Sequence, residues 1–203
     1  MYTLGADLVN PIPLVALLRG INVGGKNKLN MKELKAAFER TGLRQVSTYI
    51  NSGNILFQIN ADDDSLAVGA ESPGYQTLAT RLEGLIRAEF GLDVPVVLRD
   101  LEQYRLVIEA LPSDWTNDSE HKSDVMFLRD EIDSPDILDA LPIRPDIDTV
   151  LYAPGAVLWT VPKHVVTRSG LMKLAGTDLY QRMTVRNVNT TRKLWELFQN
   201  LVD

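Results

Sequence analysis

Apolar positions along the chain fall into short blocks of two periods, and the blocks alternate. Residues 13–19 are a nearly continuous apolar run of strand length that ends in a basic, glycine-rich segment. Leu34, Ala37, Phe38 and Thr41 then recur at helical spacing over residues 31–41. Asn30 and Glu33 precede this helix as a capping pair, and Gly42 follows as a stop. Two strand-like blocks, 46–50 and 55–59, flank Asn51-Ser52-Gly53-Asn54, which reads as a tight hairpin. Leu78, Leu82, Leu85, Ile86 and Phe90 mark a helix over 75–90, closed by Gly91. A strand at 94–98 and a helix at 101–111 complete the order β-α-β-β-α-β plus one helix.

The remainder repeats that order. Strands are expected at 124–128, 149–152, 157–161 and 182–185, with Ala153-Pro154-Gly155 as the second hairpin turn. Helices are expected at 135–141, 169–175 and 191–201, the last with Leu194, Trp195, Phe198 and Leu201 on one face. Local echoes support the repeat. Val15-Ala16-Leu17-Leu18-Arg19 matches Val125-Met126-Phe127-Leu128-Arg129, and Leu98-Arg99-Asp100 matches Val185-Arg186-Asn187. The expectation is an α+β chain built as a tandem duplication of ferredoxin-like β-α-β-β-α-β units, each followed by an extra helix. The halves are 1–112 and 113–203, with residues 60–74 an exposed, mobile loop in the first. A single mixed sheet is the alternative.

Composition narrows the class. The 45% hydrophobic and 24% charged content is that of a globular protein. No apolar run reaches the roughly 18 residues of a membrane span. Residues 11–18 are apolar, but no basic residue precedes them, which disfavours a signal peptide. The absence of cysteine excludes disulfides, thiol catalysis and zinc–thiolate sites and fits a cytoplasmic protein.

The net charge of −6 is unevenly spread. Residues 1–59 carry seven Lys/Arg and three Asp/Glu, residues 60–150 seven and twenty-one, and residues 151–203 seven and three. Basic ends on an acidic chain suit a small anion. Long nucleic acid is disfavoured, because the acidic middle would repel it.

The segment from Gly20 to Lys28 nearly spells a phosphate-binding P-loop: Gly20-x-x-x-x-Gly25-Lys26 fits. Asn27 stands where a magnesium-binding hydroxyl belongs, the helix starts late, after Asn30, and an antiparallel hairpin follows. These features argue against a nucleotide-hydrolysing P-loop. Two readings remain: a plain strand-to-helix loop whose glycines permit positive φ, or a looser anion site made from loop N–H groups with Arg19 and Lys26.

The topology gathers the polar motifs. The glycine loop and the Asn51–Asn54 turn lie at one sheet end of the first half. In the second half, Arg168 and Ser169 are expected beside Arg186, Asn187 and Asn189, just before a helix N-terminus that favours an anion. The candidate ligand-binding residues are Arg19, Asn22, Gly24, Gly25, Lys26, Asn51, Ser52 and Asn54, with Arg168, Ser169, Arg186, Asn187 and Asn189. Each also has a plain structural reading, as turn former, helix cap or surface ion pair.

Other chemistry is missing. There is no G-x-S-x-G elbow. His121 and His164 are far apart and lack metal-ligand spacing, and Asp62-Asp63-Asp64 does not continue into a calcium loop. RNA-recognition sheets place aromatics on strands one and three, where residues 14–18 and 55–57 offer only Phe57. Trp115 reads as loop packing or as a lid. No catalytic residue, metal ligand or cofactor is assigned.

Leu18–Gly25, reading LRGINVGG, resembles the opening motif of a bacterial domain-of-unknown-function family, and Tyr49-Ile50-Asn51-Ser52-Gly53-Asn54 resembles its turn. The family closes on a T-x-R-N-W-N-T-like pattern, read here as Thr184-Val185-Arg186-Asn187-Val188-Asn189-Thr190. Val188 replaces the tryptophan, and Gly170 stands where a second basic residue is expected. The resemblance implies a cytosolic bacterial protein of two α/β halves and implies no reaction. Three functions follow as expectations: a binding module for a small phosphate- or nucleotide-like anion, an enzyme acting on such a ligand through Ser52 or Ser169, or a protein-interaction or regulatory domain.

Overall fold

The computed structural model describes residues 11–24, 27–60 and 75–201. The loop expected at 60–74 lies outside them apart from Asn60. Two four-stranded antiparallel sheets carry the fold, each with helices. In the first, β1 (Pro11–Leu18) runs between β3 (Asn54–Asn60) and β4 (Val96–Asp100), with β2 (Arg44–Tyr49) outside β3. In the second, β5 (His121–Leu128) runs between β7 (Ala156–Pro162) and β8 (Met183–Asn187), with β6 (Thr149–Ala153) outside β7. The registers of the three inner strands correspond, whereas β2 carries a shift between Arg44 and Ser47 that β6 lacks. Val15 faces Leu56 and Arg99, and Val125 faces Leu158 and Arg186.

Helix boundaries follow from their caps. The Asn30 side chain accepts the Lys32 N–H at 2.9 Å and starts α1 (Met31–Arg40). Gly91, at φ 67°, ends α2 (Gln76–Phe90) in the left-handed conformation glycine adopts without strain. Asp100 and Gln103 form a reciprocal capping box at α3 (Leu101–Ala110).

The second half departs from the expected elements. Its first two helices, α4 (Ile137–Ala140) and α5 (Asp178–Gln181), have four residues each. Instead of a helix at 169–175 there are two 3-10 segments, Lys163–Arg168 and Leu171–Lys173. The Gly170 backbone presses so close to the Pro142 carbonyl that a Cβ would sit 1.4 Å from its oxygen, and the Gly170 N–H is taken by Asp148 at 3.1 Å. The chain is held against the 142–148 segment instead of coiling freely. The last helix, α6 (Val188–Gln199), begins earlier than expected, because Asn187 caps it by accepting the Thr190 N–H at 2.8 Å.

Period-two alternation sends the strands into two cores at once. Leu14, Ala16 and Leu18 pack under α1 and α2 with Phe38, Leu82 and Ile86. Val15 and Leu17 point the other way, into a core shared with Val125, Phe127 and Leu158 of the second sheet. Helices α3 and α6 fill that shared core with Tyr104, Val107, Leu194 and Phe198. Tyr104 stacks 5.4 Å from Phe127, and its hydroxyl donates to the Thr191 carbonyl at 3.0 Å. Met126 and Leu128 face outward under α4 and the 3-10 segments. Among the described residues, no helix is long and apolar enough to cross a membrane.

Candidate functional site

Four of the six described residues from Gly20 to Asn27 have positive φ: Gly20, Asn22, Gly24 and Asn27. Asn22 closes the loop. Its Nδ2 donates to the carbonyls of Leu29 (3.1 Å) and Asn51 (2.8 Å), and its Oδ1 accepts the Leu29 N–H at 2.8 Å. Asn27 donates to the Gly20 carbonyl at 3.1 Å. Asn22 thus joins the loop to the Asn51–Asn54 turn, as the strand order requires. Gly25 and Lys26 lie outside the described residues.

Arg186 of β8 enters the same turn from the second sheet. Its Nε donates to Asn54 Oδ1 at 2.5 Å, and its Nη2 to the carbonyls of Leu18 (2.8 Å), Ser52 (2.9 Å) and Gly53 (3.1 Å). The side chain is buried with no carboxylate against it among the described residues. Burial pulls its pKa down from the ordinary guanidinium value. Asn54 also donates to Tyr49 O and Ser52 Oγ, so its side chain is fully used. Arg186, Asn54 and Ser52 therefore meet at one place, with Asn22 and Asn51 next to them.

Arg168 and Ser169 are not part of that place. Ser169 is buried, accepts the Leu171 N–H, and adjoins Asp148. Arg168 is exposed, and its carbonyl accepts from Arg144 at 3.2 Å. Asp148 precedes β6, at one edge of the sheet, and Arg186 lies on β8, at the other. Three strand spacings, about 14 Å, separate the two edges. Asn187 is the α6 cap, and Asn189 donates to the Asn117 carbonyl at 3.0 Å. Val188 is fully buried in the shared core, and Trp115 is core packing with its carbonyl held by Arg192 at 2.7 Å.

Beside the Arg186 junction lies an open cleft of about 630 Å³. Arg19, Gly20 and Asn27 line one side, Tyr180 and Gln181 of α5 the other, with Ser52 and Arg186 at the junction. The Arg19 guanidinium sits 4.7 Å over the Tyr180 ring and donates to the Met183 carbonyl at 3.3 Å. No carboxylate of the described residues lies within salt-bridge distance of it. Asp93, also in the lining, is paired with Arg87.

The matching position in the second sheet is different. Arg129, the counterpart of Arg19, bonds Glu83 at 3.0 Å and Glu131 at 3.2 Å. The space beside it, lined by Tyr75, Gln76 and Arg99, holds only about 10 Å³. The 15-residue α2 fills there what the four-residue α5 leaves open. Sequence reasoning missed Tyr180 and the neutralising Glu83. The Arg19/Arg129 echo was the available signal, because it invites a comparison of what surrounds each arginine. Among the described residues, no cluster of His, Asp or Glu is suited to hold a metal ion.

A family model described as a protein of unknown function (DUF1697) matches residues 13–159, from β1 into β7. No curated protein matches the chain. Among solved structures, the conserved bacterial protein SP0830 from Streptococcus pneumoniae is similar at 25% identity and a TM-score of 0.73. The similarity covers 93% of this chain and 99% of that one.

Proposed function

The chain belongs to the DUF1697 family of proteins of unknown function, and from that premise we propose that it binds a small anion, phosphate- or nucleotide-like, in the cleft at Arg19. The observation that carries this reading is the asymmetry between two matching arginines. Arg129 is neutralised by two carboxylates beside a filled space, whereas Arg19 faces an open cleft with no carboxylate of the described residues within salt-bridge distance, Asp93 in the lining being paired with Arg87. An uncompensated guanidinium in a concave site raises the local concentration of anions. Gly20 and Asn27, both at positive φ, bring the loop backbone to the cleft wall beside Arg19, which supports the same reading.

In this reading the halves 1–112 and 113–203 are copies of one ferredoxin-like unit. The shared strand orders and registers support it. One copy keeps its end closed and the other opens it. Asn27, Ser52 and Arg186 line the site, Asn22 and Asn54 hold that lining in place from behind, and Arg19 supplies the free charge. Binding is favoured over group transfer because Ser52 Oγ accepts from Asn54, and no carboxylate or imidazole of the described residues bonds to it.

The test is thermal unfolding with inorganic phosphate and AMP at constant ionic strength. The melting temperature rises by about 2 °C or more near ten times the Kd. Arg19→Ala abolishes the rise and Arg129→Ala keeps it. An unchanged melting temperature in the unmodified protein overturns the reading.

A further inference from the structure

The proposed anion cleft does not end at Tyr180. Tyr180 and Val185 also line a second cavity, of about 170 Å³, on the outer face of the second sheet. Its lining is mainly apolar. Met126 and Trp159 project from β5 and β7, and Leu174 and Ala175 lie above them. Lys122 and Asp124 are the charged members, but their 2.6 Å ion pair leaves no net charge there. A cavity of about 150 Å³ with apolar walls accommodates benzene, so this one has room for a ring.

The cavity exists because the two sheets are covered unequally. Helices of 10 and 15 residues seal the outer face of the first sheet. The second has two helices of four residues and the 3-10 segments, and Met172 in that cover is 47% exposed. The same short α5 that opens the cleft at Arg19 thus leaves an apolar cavity on its other side, and Tyr180 is their common wall.

We propose that the two cavities form one site for an amphipathic anion, a small molecule whose phosphate or carboxylate sits at Arg19 and whose ring or short aliphatic group enters between Trp159 and Leu174. The inference rests on the anion-binding reading and adds the ligand's second half. Charge complementarity fixes the head group, and the shared wall fixes where the apolar part begins. Burial of a ring adds affinity over the head group alone.

Titration of the full chain with inorganic phosphate and with phenyl phosphate, followed by calorimetry and tryptophan fluorescence, tests it. Phenyl phosphate binds about tenfold more tightly or better and perturbs the emission of Trp159. Ala175→Trp, at an exposed position, fills the apolar cavity. It lowers phenyl phosphate affinity to that of inorganic phosphate and leaves the latter unchanged. Arg19→Ala weakens both. Equal affinities for the two phosphates, unaffected by Ala175→Trp, overturn the amphipathic site while leaving the anion cleft standing. Absence of binding by either overturns both.

Discussion

Arg99 and Arg186 occupy matching positions on β4 and β8, and each caps the sheet to which it does not belong. Arg186 donates to the carbonyls of Leu18 and Gly53, and Arg99 to those of Leu128 and Gly155. The four acceptors are themselves matched: Leu18 N–H bonds Gly53 O at 2.8 Å, and Leu128 N–H bonds Gly155 O at 2.9 Å. A guanidinium presents five N–H donors in a fixed fork, so one side chain can satisfy several converging carbonyls. Asp130, 3.4 Å from Arg99, has no counterpart at Arg186 among the described residues, and Arg186 bonds the neutral Asn54 amide instead.

Arg186→Met leaves the carbonyls of Leu18, Ser52 and Gly53 short of a donor in a buried place. Urea unfolding shows a loss of about 3 kcal/mol. Arg186→Lys recovers little of it, because one ammonium cannot span the same acceptors. A loss below about 1 kcal/mol for the methionine variant contradicts the clasp.

Gly170→Ala places a methyl 1.4 Å from the Pro142 carbonyl oxygen, on backbone that cannot swing aside like a side chain. It costs at least about 2 kcal/mol. Gly84→Ala, within α2 and with no atom within 4 Å of the new methyl, is the contrast. It stabilises by about 0.5–1 kcal/mol. Equal melting temperatures for the two variants refute the packing argument.

Asp148 sets a pH dependence. Burial pushes its pKa up, but hydrogen bonds from Ser169, the Arg144 and Gly170 N–H groups and Trp159 outweigh that and hold it below the ordinary carboxylate value. A carboxylate with a lowered folded-state pKa contributes stability above its unfolded pKa, near 4, and that contribution is lost as pH falls through the folded value. Asp148→Asn is therefore less stable than the unmodified protein at pH 7, and the gap narrows in acid titrations below about pH 4. A gap that is constant from pH 7 to pH 2 rules this out.

Asn22→Ala removes the three hydrogen bonds that hold the Gly20–Asn27 loop to Leu29 and Asn51. Hydrogen exchange at the Leu29 amide speeds up, while exchange in β1 is unchanged. The phosphate-induced rise in melting temperature shrinks with it. Unaltered exchange at Leu29 would remove Asn22 from its role as the loop's closure.

The sequence made the strands, the first hairpin and the caps at Asn30 and Gly91 readable because each is decided within a few residues. The echo of Leu98-Arg99-Asp100 in Val185-Arg186-Asn187 even marked the clasp, as a repeat whose purpose was hidden. Arg186 finds its acceptors in the other sheet 132 to 168 positions away, and no local pattern reports that. The misplaced helix at 169–175 has the same origin. Its apolar spacing is helical, but a long-range contact between Gly170 and Pro142 decides its course. Strand topology alone puts Ser169 with Arg186, because it fixes which end of a sheet a residue reaches, and not which edge.

The crossed arginines bear on cooperativity. If either sheet melts, it withdraws the donors that cap the other and exposes the Tyr104 side of their common core. Partial unfolding then costs nearly as much as complete unfolding. Heat or urea is expected to produce a single transition, with fluorescence and circular dichroism midpoints coinciding, although the chain holds two sheets.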